Sequence, residues 1–205
     1  MSTRRVVITG LGLTCPIGNS LDEVSKALRE NKGGVVVMPG WETVGNLATR
    51  VGAVCNVDLG ELPKKKTRTM GRVALLSTWA TQKAIDDAGL DQETLSGGRT
   101  GLAYGSTAGS MPAVLDFVGK LFNENTTMGI QSSTYLKFMS HTATANLASY
   151  FALRGRVITT ISACVSSAQA IGYGYEAIKY GMQDVMICGG AEEMNVGNAT
   201  VFDVM

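Results

Sequence analysis

The stretch Val157–Gly181, VITTISACVSSAQAIGYGYEAIKYG, decides how this chain is read. It opens with β-branched residues, Val157 to Ile161, which suit a buried strand. Ser162 and Ala163 are small enough for a sharp turn, and from Cys164 the pattern becomes helical until Gly181 stops it. Ala168, Ile171, Tyr175, Ile178 and Met182 recur at three- and four-residue spacing, which predicts a helix over 164–180 that lays this face on the sheet. Cys164 then stands at a helix N-terminus, among unpaired N–H groups and at the positive end of the helix dipole. Both features favour the thiolate, the nucleophilic form of the side chain. The plainer reading is a packing cysteine, since free cysteine is among the most buried residue types.

Moving outward, strands and helices alternate. Val185–Gly189 predicts a strand after the helix, which makes Cys188 a packing residue. Upstream, Arg4–Thr9 predicts a first strand ending at Gly10-Leu-Gly12, and Ser20 with Glu23 forms a capping-box pattern for a helix over 20–31. Residues 32–66, with Pro39 and Pro63, predict short strands and loop. Helices are predicted over Arg68–Asp87, with Gly89 as the stop, and over 111–122 and 140–152, with a strand at Thr100–Ser106. This alternation predicts an α/β fold: a mostly parallel, mixed sheet covered by helices on both faces, in one domain over residues 1–205.

The bulk composition narrows the function. With 18 basic and 17 acidic residues the net charge is +1, which gives no pull toward nucleic acid or an anionic membrane. No run reaches the roughly 20 apolar residues of a membrane span, and the short apolar run after Met1–Arg5 breaks at Gly10, unlike a signal peptide. Cysteines at 15, 55, 164 and 188 form no CxxC pair, and His141 is the only histidine, so neither a metal site nor any other cofactor is expected. Sparse cysteine favours a reducing, cytoplasmic setting. Gly10-Leu-Gly12 invites comparison with a dinucleotide-binding GxGxxG turn, but Cys15 occupies the third position and the predicted helix starts only near residue 20.

Several motifs together resemble the β-ketoacyl-acyl-carrier-protein synthases. Ser162-Ala163-Cys164-Val165-Ser166-Ser167-Ala168, followed by Ile171-Gly172, resembles that family's active-site motif. Gln183-Asp184-Val185 and Gly189-Gly190-Ala191-Glu192-Glu193 are similar to its next strand and its GG(A/G)E turn. Val6–Gly18 (VVITGLGLTCPIG) and Leu153-Arg154-Gly155 also match, in order, so the likeness runs from residue 6 to residue 205.

The resemblance implies the N-terminal half of a thiolase-like fold, with Cys164 as the residue that takes an acyl chain from acyl carrier protein as a thioester. Malonyl carrier protein would then lose carbon dioxide, and the resulting carbanion would attack that thioester in a Claisen condensation serving fatty acid, polyketide or polyene synthesis. In the family two histidines and a lysine assist decarboxylation, and all lie in a second half that is absent here. His141 matches no catalytic position and is expected to make a surface or helix-start contact. The Cys164 N–H would supply one oxyanion-hole donor, the second coming from the other half.

Lys64, Lys65, Lys66, Arg68 and Arg72 form a dense basic cluster, read either as a solvated face or as the dock for the acidic carrier protein. Ala108, within Gly105-Ser106-Thr107-Ala108-Gly109, matches a substrate-pocket position that is isoleucine in some members, which implies a roomier acyl tunnel. A homodimer or a complementary ketosynthase half is the implied protein partner, with Val157–Ile161 as the dimer edge and the apolar stripe over 168–182 as the face left open in a lone half. Two other readings keep the fold. One is a non-catalytic scaffold or chain-length partner, against which the retained Cys164 argues. The other is a thiolase or hydroxymethylglutaryl-type condensing enzyme, which the GGAEE turn resembles less.

Overall fold

The computed structural model describes residues 4–205. In chain order it contains helix α1 (Leu21–Arg29), strands β1 (Val35–Val37) and β2 (Val51–Ala53), the one-turn helix α2 (Lys64–Thr67), the long helix α3 (Arg72–Ala88) and the short α4 (Gln92–Ser96). Strand β3 (Thr100–Gly105), α5 (Met111–Val118), α6 (Tyr135–Phe138) and α7 (Thr142–Tyr150) follow. The last elements are β4 (Val157–Thr160), α8 (Ser166–Lys179), β5 (Val185–Gly190) and α9 (Val196–Asp203).

Local chemistry sets many of these limits. The Ser20 hydroxyl accepts the Glu23 N–H at 3.2 Å, and the Glu23 carboxylate accepts the Asn19 N–H at 2.6 Å, so α1 starts in the predicted capping box with the return bond one residue earlier. Gly89 closes α3 with φ +64°, the left-handed conformation that glycine adopts without a Cβ penalty. No helix among the described residues is long and apolar enough to cross a membrane.

The central sheet is parallel throughout, in the order β4-β3-β5, while β1 and β2 form a separate antiparallel ribbon. Every residue of β3 is buried, because helices cover both of its faces. On one face Leu102 and Tyr104 join Ile85, Leu147, Phe151 and Leu153 from α3, α7 and the loop after it, forming the principal apolar cluster. The other face carries Gly101, Ala103 and Gly105, and α8 lies directly on it. A Cβ on Gly105 would sit 2.7 Å from the Ser166 Cβ, and one on Gly174 would sit 2.1 Å from the Cys188 sulfur.

That approach overturns one expectation. The sheet-facing residues of α8 are Ser166, Ala170, Gly174 and Ala177, all buried, whereas Ala168, Ile171, Tyr175 and Met182 are exposed and Ile178 is half-buried. Large side chains cannot occupy a gap that a single methyl group overfills, so the predicted stripe turns outward. The stripe therefore forms an open apolar face, with Ile171 56% and Tyr175 47% exposed. The helix also starts at Ser166, two residues after Cys164, so the cysteine belongs to the turn.

Three smaller expectations change. Arg4–Thr9 joins no sheet among the described residues. Its segment is tied to helices instead, through Arg4 N–H to the Lys179 carbonyl at 3.0 Å and Leu11 N–H to Asp87 at 2.8 Å. Gly10 and Gly12 rest on the α3 backbone, where added Cβ atoms would meet the Ala84 and Ala80 carbonyl oxygens at 2.3 and 2.0 Å. The predicted 68–87 helix starts only at Arg72, as α3, because Gly71 is extended and packs on Ser110, 2.3 Å from where its Cβ would be. Helix α2 forms just before it, at the end of the stretch expected to be strand and loop. The 111–122 helix passes into a π turn at Gly119–Asn123. At the other end of the sheet Asp184 receives Arg99 at 2.9 Å through two bonds and Arg4 at 2.6 Å, and these guanidinium groups hold its carboxyl well below the usual range.

Two glycines on α8 separate close packing from helix propensity. Gly174→Ala should destabilise the chain by about 1–3 kcal/mol through overpacking. Gly172→Ala, where nothing lies within 4 Å, should stabilise it by about 0.5–1 kcal/mol through lost unfolded-state freedom. Denaturant unfolding of both variants checks the pair, and shifts of the same sign would contradict the packing described.

Candidate active site

The turn from β4 into α8 is built around Ser166, which is 5% exposed. Its hydroxyl accepts the Ser162 N–H at 2.8 Å and donates to the Ala163 carbonyl at 2.8 Å. The Ser166 N–H reaches that same carbonyl at 3.1 Å, and the Ser166 carbonyl accepts the Thr160 hydroxyl at 2.8 Å. These bonds hold Ala163 at φ +49°, a left-handed conformation that costs a residue with a Cβ roughly 1–2 kcal/mol. At about 1 kcal/mol net per hydrogen bond, the set around Ser166 suffices to offset that strain. The strained turn lifts the next residue, Cys164, clear of the sheet edge.

Of the four cysteines, Cys164 alone is exposed, and all four are free. Burial pushes the Cys188 thiol up to about 11, as suits the packing residue it was expected to be. Burial also raises the Cys55 thiol, against a smaller lowering by its hydrogen bond at Thr14.

Beside this turn runs the loop that leaves β3. The Glu192 carboxylate accepts the Thr107 N–H at 2.7 Å, the Ala108 N–H at 3.3 Å and the Ser106 hydroxyl at 3.3 Å. The Ser106 oxygen in turn accepts the Gly109 N–H at 3.1 Å. From this loop the Thr107 hydroxyl donates to the Ala163 carbonyl at 3.1 Å, so the 106–109 loop and the cysteine turn are joined directly. Ala108 itself is half-buried in this loop and is held only by its backbone.

Glu193 faces the opposite way and is 4% exposed. It accepts the Ser110 hydroxyl at 3.3 Å, while its Oε1 has no hydrogen-bond partner among the described residues. Burial pushes its carboxyl above the ordinary 4.5, against the opposing pull of the Met111 N–H, the Ser110 hydroxyl and Arg72. The roles of Glu192 and Glu193 are not foreseen in the sequence. The available signal is the pair itself, two adjacent carboxylates in a glycine-rich turn at a strand exit.

The basic cluster is divided. Lys64, Lys65 and Lys66 lie exposed on α2 with Arg68 just beyond, and the Lys66 ammonium stands 5.2 Å from the Tyr150 ring centre. Arg72 begins α3, donates to the Cys55 carbonyl at 3.1 Å and lines a cleft of about 300 Å³ with Glu192, Glu193 and Asn198. His141 is exposed immediately before α7 and makes no side-chain cap bond there, so it occupies the surface position expected of it.

Comparison with known proteins gives a consistent likeness. The profile of the Beta-ketoacyl synthase, N-terminal domain matches residues 3–204. The 3-oxoacyl-[acyl-carrier-protein] synthase 1 of Haemophilus influenzae is 35% identical over 203 residues, which is 98% of this chain and 50% of that protein. The crystal structure of a beta-ketoacyl synthase from Burkholderia phymatum superposes with a TM-score of 0.92 at 39% identity, covering 98% of this chain and 50% of the other. The ishigamide ketosynthase/chain length factor shares the fold, with a TM-score of 0.86 at 22% identity over 98% of this chain and 51% of that one. The chain thus spans about half the length of the curated relatives it matches.

The Glu193 environment predicts a pH signature. A carboxyl whose folded value is raised contributes stability below its unfolded value and loses it as pH rises through the folded one. Wild type should therefore lose stability relative to Glu193→Gln as pH climbs above 4.5, and the gap should level off once the folded carboxyl is ionised. Urea unfolding of both proteins between about pH 4 and 8 checks this. A gap that does not change with pH would mean that Glu193 keeps its ordinary value.

Proposed function

Since this chain belongs to the beta-ketoacyl synthase family, we propose that it is the N-terminal half of a 3-oxoacyl-acyl-carrier-protein synthase and that Cys164 is its acyl acceptor. The observation that carries the reading is Cys164 itself, the exposed cysteine on a strained strand-to-helix turn. In the first step the Cys164 sulfur attacks the thioester carbonyl of an acyl carrier protein. The carbon–sulfur bond to the carrier breaks, the bond to Cys164 forms, and the proton lost by Cys164 ends on the carrier thiol. The developing oxyanion lies within reach of the Cys164 N–H, next to the start of α8. The second step, decarboxylative condensation with malonyl carrier protein, belongs to a protein about twice this length, in keeping with the 50% coverage of the relative from Haemophilus influenzae.

Lys64, Lys65, Lys66 and Arg68 form the carrier-docking face, with Arg72 at its inner edge. Ala108 lies at the acyl pocket, where its small side chain makes the tunnel roomier than isoleucine would. The outer edge of β4, where Val157 and Ile161 are 45% and 53% exposed, pairs with a second copy or a partner subunit, and the α8 stripe meets the complementary half. The free cysteines suit a cytoplasmic setting.

Intact-mass spectrometry after incubation with an acyl-carrier-protein thioester tests the reading. Wild type should gain one acyl group and Cys164→Ala none. A folded wild type without the adduct would instead favour a scaffold or chain-length partner. Replacing Lys64, Lys65 and Lys66 by Glu should slow acylation roughly tenfold at low salt, with the effect shrinking as ionic strength rises. A rate that ignores both the charge reversal and salt would remove the docking role.

A further inference from the structure

We propose that Thr107 is a positioning residue for the oxyanion donor beside Cys164, an inference that rests on the acyl-transfer reading above. The Ala163 carbonyl and the Cys164 N–H are opposite edges of one planar trans peptide. Whatever fixes the direction of the carbonyl also fixes the direction of the N–H. Three donors converge on that carbonyl: the Ser166 N–H at 3.1 Å, the Ser166 hydroxyl at 2.8 Å and the Thr107 hydroxyl at 3.1 Å. The two from Ser166 are local to the turn. Thr107 is the one that comes from another part of the chain, 56 residues away in sequence.

Thr107 is exposed, and an exposed threonine ordinarily has freedom to rotate and to bond water. Here its main chain is held on both sides. Its N–H donates to Glu192 at 2.7 Å and its carbonyl accepts the Ser140 hydroxyl at 2.7 Å. Glu192 and Ser140 thereby clamp the residue whose hydroxyl pins the Ala163–Cys164 peptide. With the plane pinned, the Cys164 N–H is aimed before a thioester arrives, which is how a preorganised donor stabilises charge that develops only in the transition state. Without the Thr107 bond only the two Ser166 donors, both within the turn itself, hold that carbonyl, and small misalignments of an oxyanion donor are costly.

The test uses the whole chain with Thr107→Val, Thr107→Ala and Thr107→Ser, and two reactions at Cys164. Acyl transfer from an acyl-carrier-protein thioester passes through an oxyanion, while alkylation by iodoacetamide does not. Unfolding midpoints identify any variant that fails to fold, and either apolar variant serves if the other is lost. Acyl transfer should fall roughly tenfold in Thr107→Val and Thr107→Ala, with alkylation within about twofold of wild type. Thr107→Ser, which keeps the hydroxyl, should restore acyl transfer. Equal loss of both reactions would overturn the inference in favour of general disturbance of the turn, as would wild-type acyl transfer in both apolar variants or failure of serine to rescue. Wild-type protein that alkylates but never acylates would overturn the functional reading itself, and the positioning role with it.

Discussion

The distance between α8 and the sheet is the constraint on which the other features depend. Gly105 and Gly190 on the strands, and Ser166, Ala170, Gly174 and Ala177 on the helix, remove the side chains that would hold the two layers apart. Close approach brings the Ser166 hydroxyl into reach of both Ser162 and Ala163, so one residue can close the turn that carries Cys164. It also leaves no place for the bulky apolar residues of α8, which must face outward. The strained turn and the open apolar face therefore have a common origin in the small residues between helix and sheet.

A second layer of control comes from the turn after β5. Its two glutamates act in different directions. Glu192 gathers the backbone of residues 107 and 108, and Glu193 reaches the buried Ser110, whose hydroxyl also accepts the Val73 N–H at 3.2 Å. One short turn thus ties the loop after β3 to both the cysteine turn and the start of α3. In family terms this places the GGAEE motif as a brace of the candidate site, acting on the loop beside the Cys164 turn.

Much of this was legible in the sequence where the signal is local. Ser20 with Glu23, Gly89 after α3, and the β-branched run into β4 each act within a few residues, and each element stands close to where those residues place it. The reading failed where two patterns share one stretch. In α8 the large apolar residues and the small ones form equally regular stripes, and only the spacing to the sheet decides between them. Gly10 and Gly12 likewise read as a turn after a strand, yet their missing side chains serve contact with α3. The work of Glu192 was invisible because its partners lie 84 to 86 residues away. Cys164 stood out because strand, turn and helix signals meet there, and the ordered motifs around it named the family.

The way Ala108 is held has a consequence for how such a protein can change. Every bond that fixes its loop is made by main-chain groups or by Ser106, Thr107, Ser140 and Glu192. Its own methyl group takes part in none of them. Selection can therefore exchange the residue at this position without loosening the frame around it. Side-chain identity at residue 108 and the hydrogen-bonded frame of the loop are written in separate letters here, and an engineer or a lineage can edit the first while leaving the second alone.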